Sequence, residues 1–155
     1  MTARVELAAV LFWNEEAERA LAALKPVDWS RVPAATQLQG IDVHLATKEY
    51  ETAEPLLRAL MKSTPGHRGA RLRLAALLSW TERYDESLAL YEALLAETPK
   101  DIGFRRKYAM VLIWADRLEE GAAQLKATLP DDPQDASAND GGNERAPDTA
   151  PAATP

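Results

Sequence analysis

Hydrophobic side chains recur along this chain every three or four residues, in blocks separated by short polar turns. The pattern is clearest between residues 70 and 97, where two apolar stripes follow one another: Leu74, Leu77 and Leu78, then Leu88, Tyr91, Leu94 and Leu95. Such spacing is typical of amphipathic helices that each bury one face. The polar residues Thr81-Glu-Arg lie between the stripes, so this region predicts two helices joined by a short turn.

The helical pattern also repeats at a fixed distance. Two stretches, Ala75–Pro99 and Ala109–Pro133, superpose at an offset of 34 residues, which places Trp80 on Trp114 and Arg83 on Arg117. A period of this length indicates a stack of helix–turn–helix units, none of which can bury its apolar face alone.

Two more degenerate units precede this pair. The period predicts four units at about residues 1–33, 34–67, 68–101 and 102–135, which together form a helical domain over 1–135. Helices of about 13 residues would each be about 20 Å long. From residue 136 to 155 the chain has no large apolar side chain, so we expect a disordered, low-complexity tail there.

Composition narrows the class of protein. The 155 residues carry a net charge of −6, and this acidic balance argues against a general nucleic-acid binder. The absence of cysteine excludes disulfides and thiolate metal sites. No apolar run approaches the roughly 20 residues of a membrane span, and the first residues do not resemble a secretory signal. We therefore expect a soluble, cytoplasmic protein, or a periplasmic one if the chain is a fragment of a secretion protein.

The repeated positions resemble those of the tetratricopeptide repeat family. Its units alternate small and large residues and end at a proline, and the two regular units match this order: Ala75, Tyr84, Ser87, Tyr91 and Pro99, then Ala109, Leu118, Gly121, Leu125 and Pro133. The resemblance implies an all-α solenoid, coiled as a right-handed superhelix, whose first helices line a concave groove that binds peptides or protein surfaces. It implies neither a cofactor nor a reaction.

A second similarity is shorter. The segment Leu78–Tyr84 is similar to repeats of bacterial exopolysaccharide-secretion proteins. The chain could therefore be a structural fragment of a longer periplasmic array in polysaccharide export. A further alternative is self-association through uncapped repeat ends, because terminal units normally carry a polar face.

Three tryptophans share one place, near the end of the first helix of their unit: Trp13, Trp80 and Trp114. In this family that place often borders the groove, so the indoles could form an aromatic ladder for a peptide or a sugar. Alternatively, each indole packs as ordinary core against the neighbouring unit. Ala46 occupies the place in the second unit and would interrupt a ladder.

Basic residues occupy groove-facing places of the last two units: Arg73, Arg106 and Lys107, with Arg68, Arg71 and Arg105 nearby. They could bind an acidic peptide segment or a carboxylate. Alternatively, they form a solvated face balanced by nearby acids: Asp85, Glu86, Glu119 and Glu120. Some relatives clamp a C-terminal carboxylate with Lys and Asn, but here those places hold Leu72, Ala76 and Met110.

Residues for catalysis are few. His44 and His67 lie in different units, and the chain has neither a glycine-rich phosphate loop nor a Gly-x-Ser-x-Gly motif. Asp131, Asp132 and Asp135 offer too few ligands for a calcium loop. We therefore predict a non-catalytic interaction scaffold with a protein or peptide partner, an acidic one if the basic places bind it, and neither a metal nor a nucleic acid. The candidate groove residues are Trp80, Trp114, Arg73, Arg106, Lys107, Met110 and Trp13.

Overall fold

A computed structural model describes residues 1–129, which form four helical hairpins and no strand. The helices are α1 Thr2–Trp13, α2 Ala17–Leu24, α3 Ala34–Ala46, α4 Tyr50–Ser63, α5 Arg68–Trp80, α6 Tyr84–Glu97, α7 Ile102–Trp114 and α8 Leu118–Lys126. The predicted all-α repeat architecture is confirmed for this part of the chain. Residues 130–155, with the predicted tail, lie outside the described residues, and the unit boundaries stay predictions.

The three regular hairpins keep a strict register. Helices α3, α5 and α7 each contain 13 residues and begin 34 positions apart, at residues 34, 68 and 102. Their partners α4, α6 and α8 begin at residues 50, 84 and 118, again at the same offset. Equivalent positions of the sequence therefore occupy equivalent places in the structure. Within residues 1–129, no helix is long and apolar enough to cross a membrane.

The turn inside each hairpin has one backbone geometry throughout. One residue per turn adopts a left-handed conformation with φ of 61–63°: Glu15, Lys48, Glu82 and Asp116. The next amide closes back on the preceding helix, as where Arg83 N–H donates to the Leu78 carbonyl at 2.8 Å and Arg117 N–H to the Leu112 carbonyl at 2.9 Å. These bonds satisfy carbonyls that a helix end leaves open, and they hold residues that are not glycine in a disfavoured conformation.

The hydrophobic core lies between units. One cluster joins α1 and α2 to α3, a second joins α3 and α4 to α5, and a third joins α5 and α6 to α7. Leu57, Leu74 and Leu112 are among the fully buried side chains of these clusters. Burial of one such side chain contributes about 1.5–3 kcal/mol, and only the adjacent unit makes that burial complete.

Small residues let the two helices of a unit approach closely. In the third unit, the Ser87 hydroxyl donates to the Ala75 carbonyl at 2.7 Å. In the fourth unit the equivalent residue is Gly121, where a Cβ atom would lie 2.9 Å from the Ala109 carbonyl oxygen and 2.7 Å from Ile113 Cγ1. The contact therefore leaves no room for a side chain at Gly121.

The second unit departs from this plan because it has Gly40 where the third and fourth units have Leu74 and Tyr108. The indole of Trp29 fills the space, since a Cβ at Gly40 would lie 2.5 Å from its ring. Trp29 begins a short 3-10 helix, Trp29–Arg31, before α3. The large side chain missing from α3 is thus supplied by the preceding connection.

His44 takes a core place that leucine fills in the following units, as Leu78 and Leu112. Its side chain is only 8% exposed, its ring lies 6.1 Å from that of Trp29, and its Nδ1 has no hydrogen-bond partner among the described residues. Burial lowers the pKa of His44 because it disfavours the charged imidazolium, and the charge of Glu49 opposes this only in part.

The outer ends of the stack expose apolar side chains. Leu7, Val10 and Trp13 of α1 are more than half exposed, as are Leu118 and Leu129 at the other end of the described residues. Self-association through these faces stays a prediction.

Replacement of Gly121 by alanine tests the close helix contact. Alanine is favoured in a helix by about 1 kcal/mol, but overpacking against a backbone carbonyl costs about 1–3 kcal/mol. We expect Gly121→Ala to lower the free energy of unfolding in urea by about 1 kcal/mol. The matched control is Gly103→Ala on the exposed side of α7, where the nearest atom is the side-chain Oδ1 of Asp101 at 3.2 Å. The control should be neutral or stabilising, and an equal loss in both variants would contradict the close contact.

The buried histidine predicts a pH dependence of stability. Because the pKa of His44 is lower in the folded chain, the unfolded chain binds more protons below its ordinary value of 6.5. The free energy of unfolding should therefore fall as the pH is lowered from about 7.5 to 5.5. In His44→Leu this loss should shrink, as measured by urea unfolding at each pH. A loss of the same size in His44→Leu would contradict the assignment to His44.

Candidate binding groove

The first helices of the last three hairpins line one open groove. Helices α3, α5 and α7 form most of its wall around a cavity of about 690 Å³, which we call the α3–α5–α7 groove. Much of its surface is apolar and comes from Leu45, Ala46, Leu72, Ala76, Tyr91 and Val111. A cavity of this size with few polar groups is suited to apolar side chains of a ligand.

Six of the seven candidate residues lie together in this groove: Trp80, Trp114, Arg73, Arg106, Lys107 and Met110. The seventh, Trp13, lies apart from them. It borders a second cavity of about 560 Å³ between α1 and α3, which shares Asp42 and Ala46 with the first. The structure thus brings the candidates of α5 and α7 together and leaves that of α1 on an adjoining surface.

The three tryptophans that share one place in the repeat are at least half exposed. Trp80 and Trp114 are each 50% exposed, and Trp13 is 86% exposed. Trp80 also contacts the preceding unit, because its ring centre lies 5.9 Å from that of Tyr50 in a tilted arrangement. This contact holds part of the indole in place while the rest remains open to a ligand.

Arg73 is braced by an acid of the preceding first helix. Its guanidinium forms two hydrogen bonds with the carboxylate of Asp42, Nε to Oδ1 at 2.5 Å and Nη2 to Oδ2 at 2.6 Å. Arg73 Nη1 also donates to the Gly69 carbonyl at 3.2 Å. The hydrogen bonds to Asp42 raise the pKa of Arg73. Its partner is therefore Asp42, which is not one of the four acids that the sequence suggested as balancing charges.

Arg106 and Lys107 are in a different situation. Among residues 1–129, neither cation forms an ion pair. The repeat explains this for Lys107, which is equivalent to Arg73. Arg73 pairs with the residue 31 positions earlier, but the residue 31 positions before Lys107 is Ala76. The last unit thus has a cation at this position, but the preceding unit lacks the acid that would pair with it.

The other arginines near the groove are used to join structural elements: Arg68, Arg71 and Arg105. Arg71 Nη1 and Nη2 bond the carboxylate of Glu97 at 2.6 and 2.8 Å. Arg105 Nη1 bonds Gln124 Oε1 at 2.7 Å. These partners leave Arg106 and Lys107 as the cations of the α3–α5–α7 groove that a ligand would meet.

Asp42 is the groove residue that the sequence interpretation missed. The signal was present in the repeat, because residues 42, 76 and 110 are equivalent and carry Asp42, Ala76 and Met110. Only the first of them can pair with a cation of the following unit. In the part of the chain that the structure describes, no three potential metal-ligating side chains come together. The three aspartates weighed for calcium lie outside the described residues.

Comparison with known proteins agrees with the fold. The sequence model of the tetratricopeptide repeat matches residues 44–102 and 81–140, which together exceed half of the chain. A search of curated proteins found no match.

Several solved structures have a similar fold. A MamA RS-1 double mutant is similar with a TM-score of 0.69 at 20% identity, over 81% of this chain and 71% of that one. MamA from Desulfovibrio magneticus RS-1 gives 0.66 at 15% identity, over 89% and 76%. A Podosopora anserina putative kinesin light chain with TPR-like repeats gives 0.65 at 18% identity, over 81% and 71%. At these low identities, the structural similarity establishes a shared fold and nothing more. The family itself is established by the sequence model, which matches more than half of the chain. The chain belongs to the tetratricopeptide repeat family.

Proposed function

We propose that this protein is a non-catalytic interaction scaffold whose α3–α5–α7 groove binds an acidic segment of a partner protein. Membership of the repeat family supports a scaffold in general. The observation that carries the finer proposal is that Arg106 and Lys107 line an apolar groove and have no ion-pair partner among residues 1–129.

The groove offers two kinds of contact. The half-exposed indoles of Trp80 and Trp114 provide apolar area at low cost in side-chain entropy, and Met110 borders the same groove. Arg106 and Lys107 can donate charge-assisted hydrogen bonds to carboxylates. A peptide with one or two large apolar side chains next to aspartate or glutamate uses both kinds of contact at once.

Membership of a longer array in polysaccharide export is the competing function. It rests on the similarity of the segment Leu78–Tyr84, and direct binding of a sugar would use the same indoles. A neutral sugar can stack on Trp80 and Trp114 but supplies no charge for the two cations. The groove therefore favours an acidic peptide over a neutral polysaccharide.

Selection from a displayed peptide library tests the proposed groove. We expect the full chain to enrich peptides that combine acidic residues with a large apolar residue. Fluorescence anisotropy with an enriched peptide should show at least about tenfold weaker binding to Arg106→Glu/Lys107→Glu, a loss of about 1.4 kcal/mol. The affinity should also fall with added salt, because exposed charges are screened.

The matched control is Lys62→Glu/Lys100→Glu, which makes the same change in net charge at exposed lysines outside the groove. It should bind the peptide as the wild type does. The proposal is wrong if selection enriches basic peptides, or if both double variants bind the enriched peptide equally well.

An acid placed at residue 76 tests why Lys107 is available. Ala76→Asp recreates in the last unit the spacing of Asp42 and Arg73, so the new carboxylate can pair with Lys107 within the chain. We expect about threefold to tenfold weaker peptide binding, measured by the same anisotropy assay. Ala76→Asn has nearly the same shape without the charge and should bind close to the wild type. Equal effects of the two substitutions would show that shape, rather than charge, determines binding there.

A further inference from the structure

The negative charge of this protein is concentrated in residues 130–155 of the sequence. Residues 1–129 contain 18 acidic and 17 basic side chains, so the stack is almost neutral. Residues 130–155 contain six acidic side chains and one basic one, and therefore carry five of the six net negative charges. Three of those acids come at once, in the sequence Asp131-Asp132-Pro-Gln-Asp135.

The described chain ends beside the first turn of α7, the helix that carries the two cations of the groove. Helix α8 packs back along α7, so its last turn lies beside the first turn of α7, where Arg105 bonds Gln124. Arg106 and Lys107 follow within the next turn of α7. The last described residue, Leu129, thus lies at the same end of α7 as the cations.

The connection is long enough to reach them. Asp131 and Asp135 are two and six residues beyond Leu129, which corresponds to about 7 and 21 Å of extended chain. A helix with its side chains is about 10–12 Å across, so the roughly 21 Å of chain up to Asp135 is enough to pass around α7 to the groove, whereas the roughly 7 Å up to Asp131 is not. A short tether also keeps the acids at an effective concentration in the millimolar range.

We propose that the acidic segment Asp131–Asp135 binds Arg106 and Lys107 of the same chain and thereby occupies one end of the α3–α5–α7 groove. The carboxylates supply the charge that Asp42 supplies to Arg73 one unit earlier. The segment has no large apolar residue, so it leaves the indoles of Trp80 and Trp114 open. An acidic partner must displace the segment, and one that also binds the indoles gains an advantage over it.

A spin label tests this contact in the full chain without any partner. The native sequence has no cysteine, so Gln134→Cys gives a single site for a nitroxide. The four indole N–H signals report how close the label comes to each tryptophan. Trp13, in the first unit, and Trp29, in the connection that follows that unit, serve as internal references. We expect the Trp114 and Trp80 signals to be weaker than the Trp13 signal by about twofold or more, and to recover as salt screens the contact.

Charge variants distinguish a specific contact of the acidic segment from simple proximity of the tethered label to the groove. Arg106→Glu/Lys107→Glu in the labelled chain should restore the Trp114 and Trp80 signals, as should Asp131→Asn/Asp132→Asn/Asp135→Asn. The matched control Asp140→Asn/Glu144→Gln/Asp148→Asn removes three acids further along the chain and should leave the signals weak. Equal intensities for all four indoles in the labelled wild type would overturn the proposal, as would weak signals that persist in the Arg106→Glu/Lys107→Glu variant.

The inference uses the same cations as the proposed function but needs no partner, so the two can fail separately. Signal loss with no acidic peptide enriched in the selection leaves the internal contact standing and removes the partner. Peptide binding together with equal indole signals would leave the proposed partner standing and remove the internal contact. If both hold, Asp131→Asn/Asp132→Asn/Asp135→Asn should bind the enriched peptide several-fold more tightly than the wild type, because the competing segment has lost its charge.

Discussion

Each helical hairpin of this protein has an apolar face that it cannot bury alone, and the architecture depends on that constraint. The three core clusters all lie between neighbouring units, so the units must stack in register. Stacking sets α3, α5 and α7 side by side, and the groove between them is a geometric consequence. The groove wall is thus held by the same contacts that stabilise the fold.

The strict register makes departures from the repeat informative. Arg73 and Lys107 occupy equivalent places, yet only Arg73 has an acid at the preceding helix, in Asp42. An exposed lysine costs the fold little, so the missing acid leaves stability largely unaffected; under the proposed function, it changes which ligand the groove would attract. By contrast, Arg71 does have an acidic partner, because it forms an ion pair with Glu97 that joins two helices.

The sequence predicts the repeat well and its exceptions poorly. The period and the apolar stripes identified the helices, because stacking imposes one pattern on every unit. They could not show that Trp29 fills the space above Gly40, since that contact joins a connection to a helix outside the periodic positions. The left-handed conformations of Lys48 and Glu82 could not be predicted either, because neither lysine nor glutamate favours a positive φ. Asp42 was missed because its ion pair with Arg73 spans 31 residues, whereas equivalent positions of the repeat are 34 residues apart.

The groove candidates were predictable for a related reason. Once the family register is known, each position of a first helix has a defined direction, and six of the seven candidates lie together. Trp13 does not join them because α1 belongs to a degenerate unit and Ala46 separates it from the other indoles. The residues on the open side of the three helices can change charge without disturbing the buried contacts. Under the proposed function, the repeat would therefore determine where a ligand binds, and the departures from it would determine which ligand.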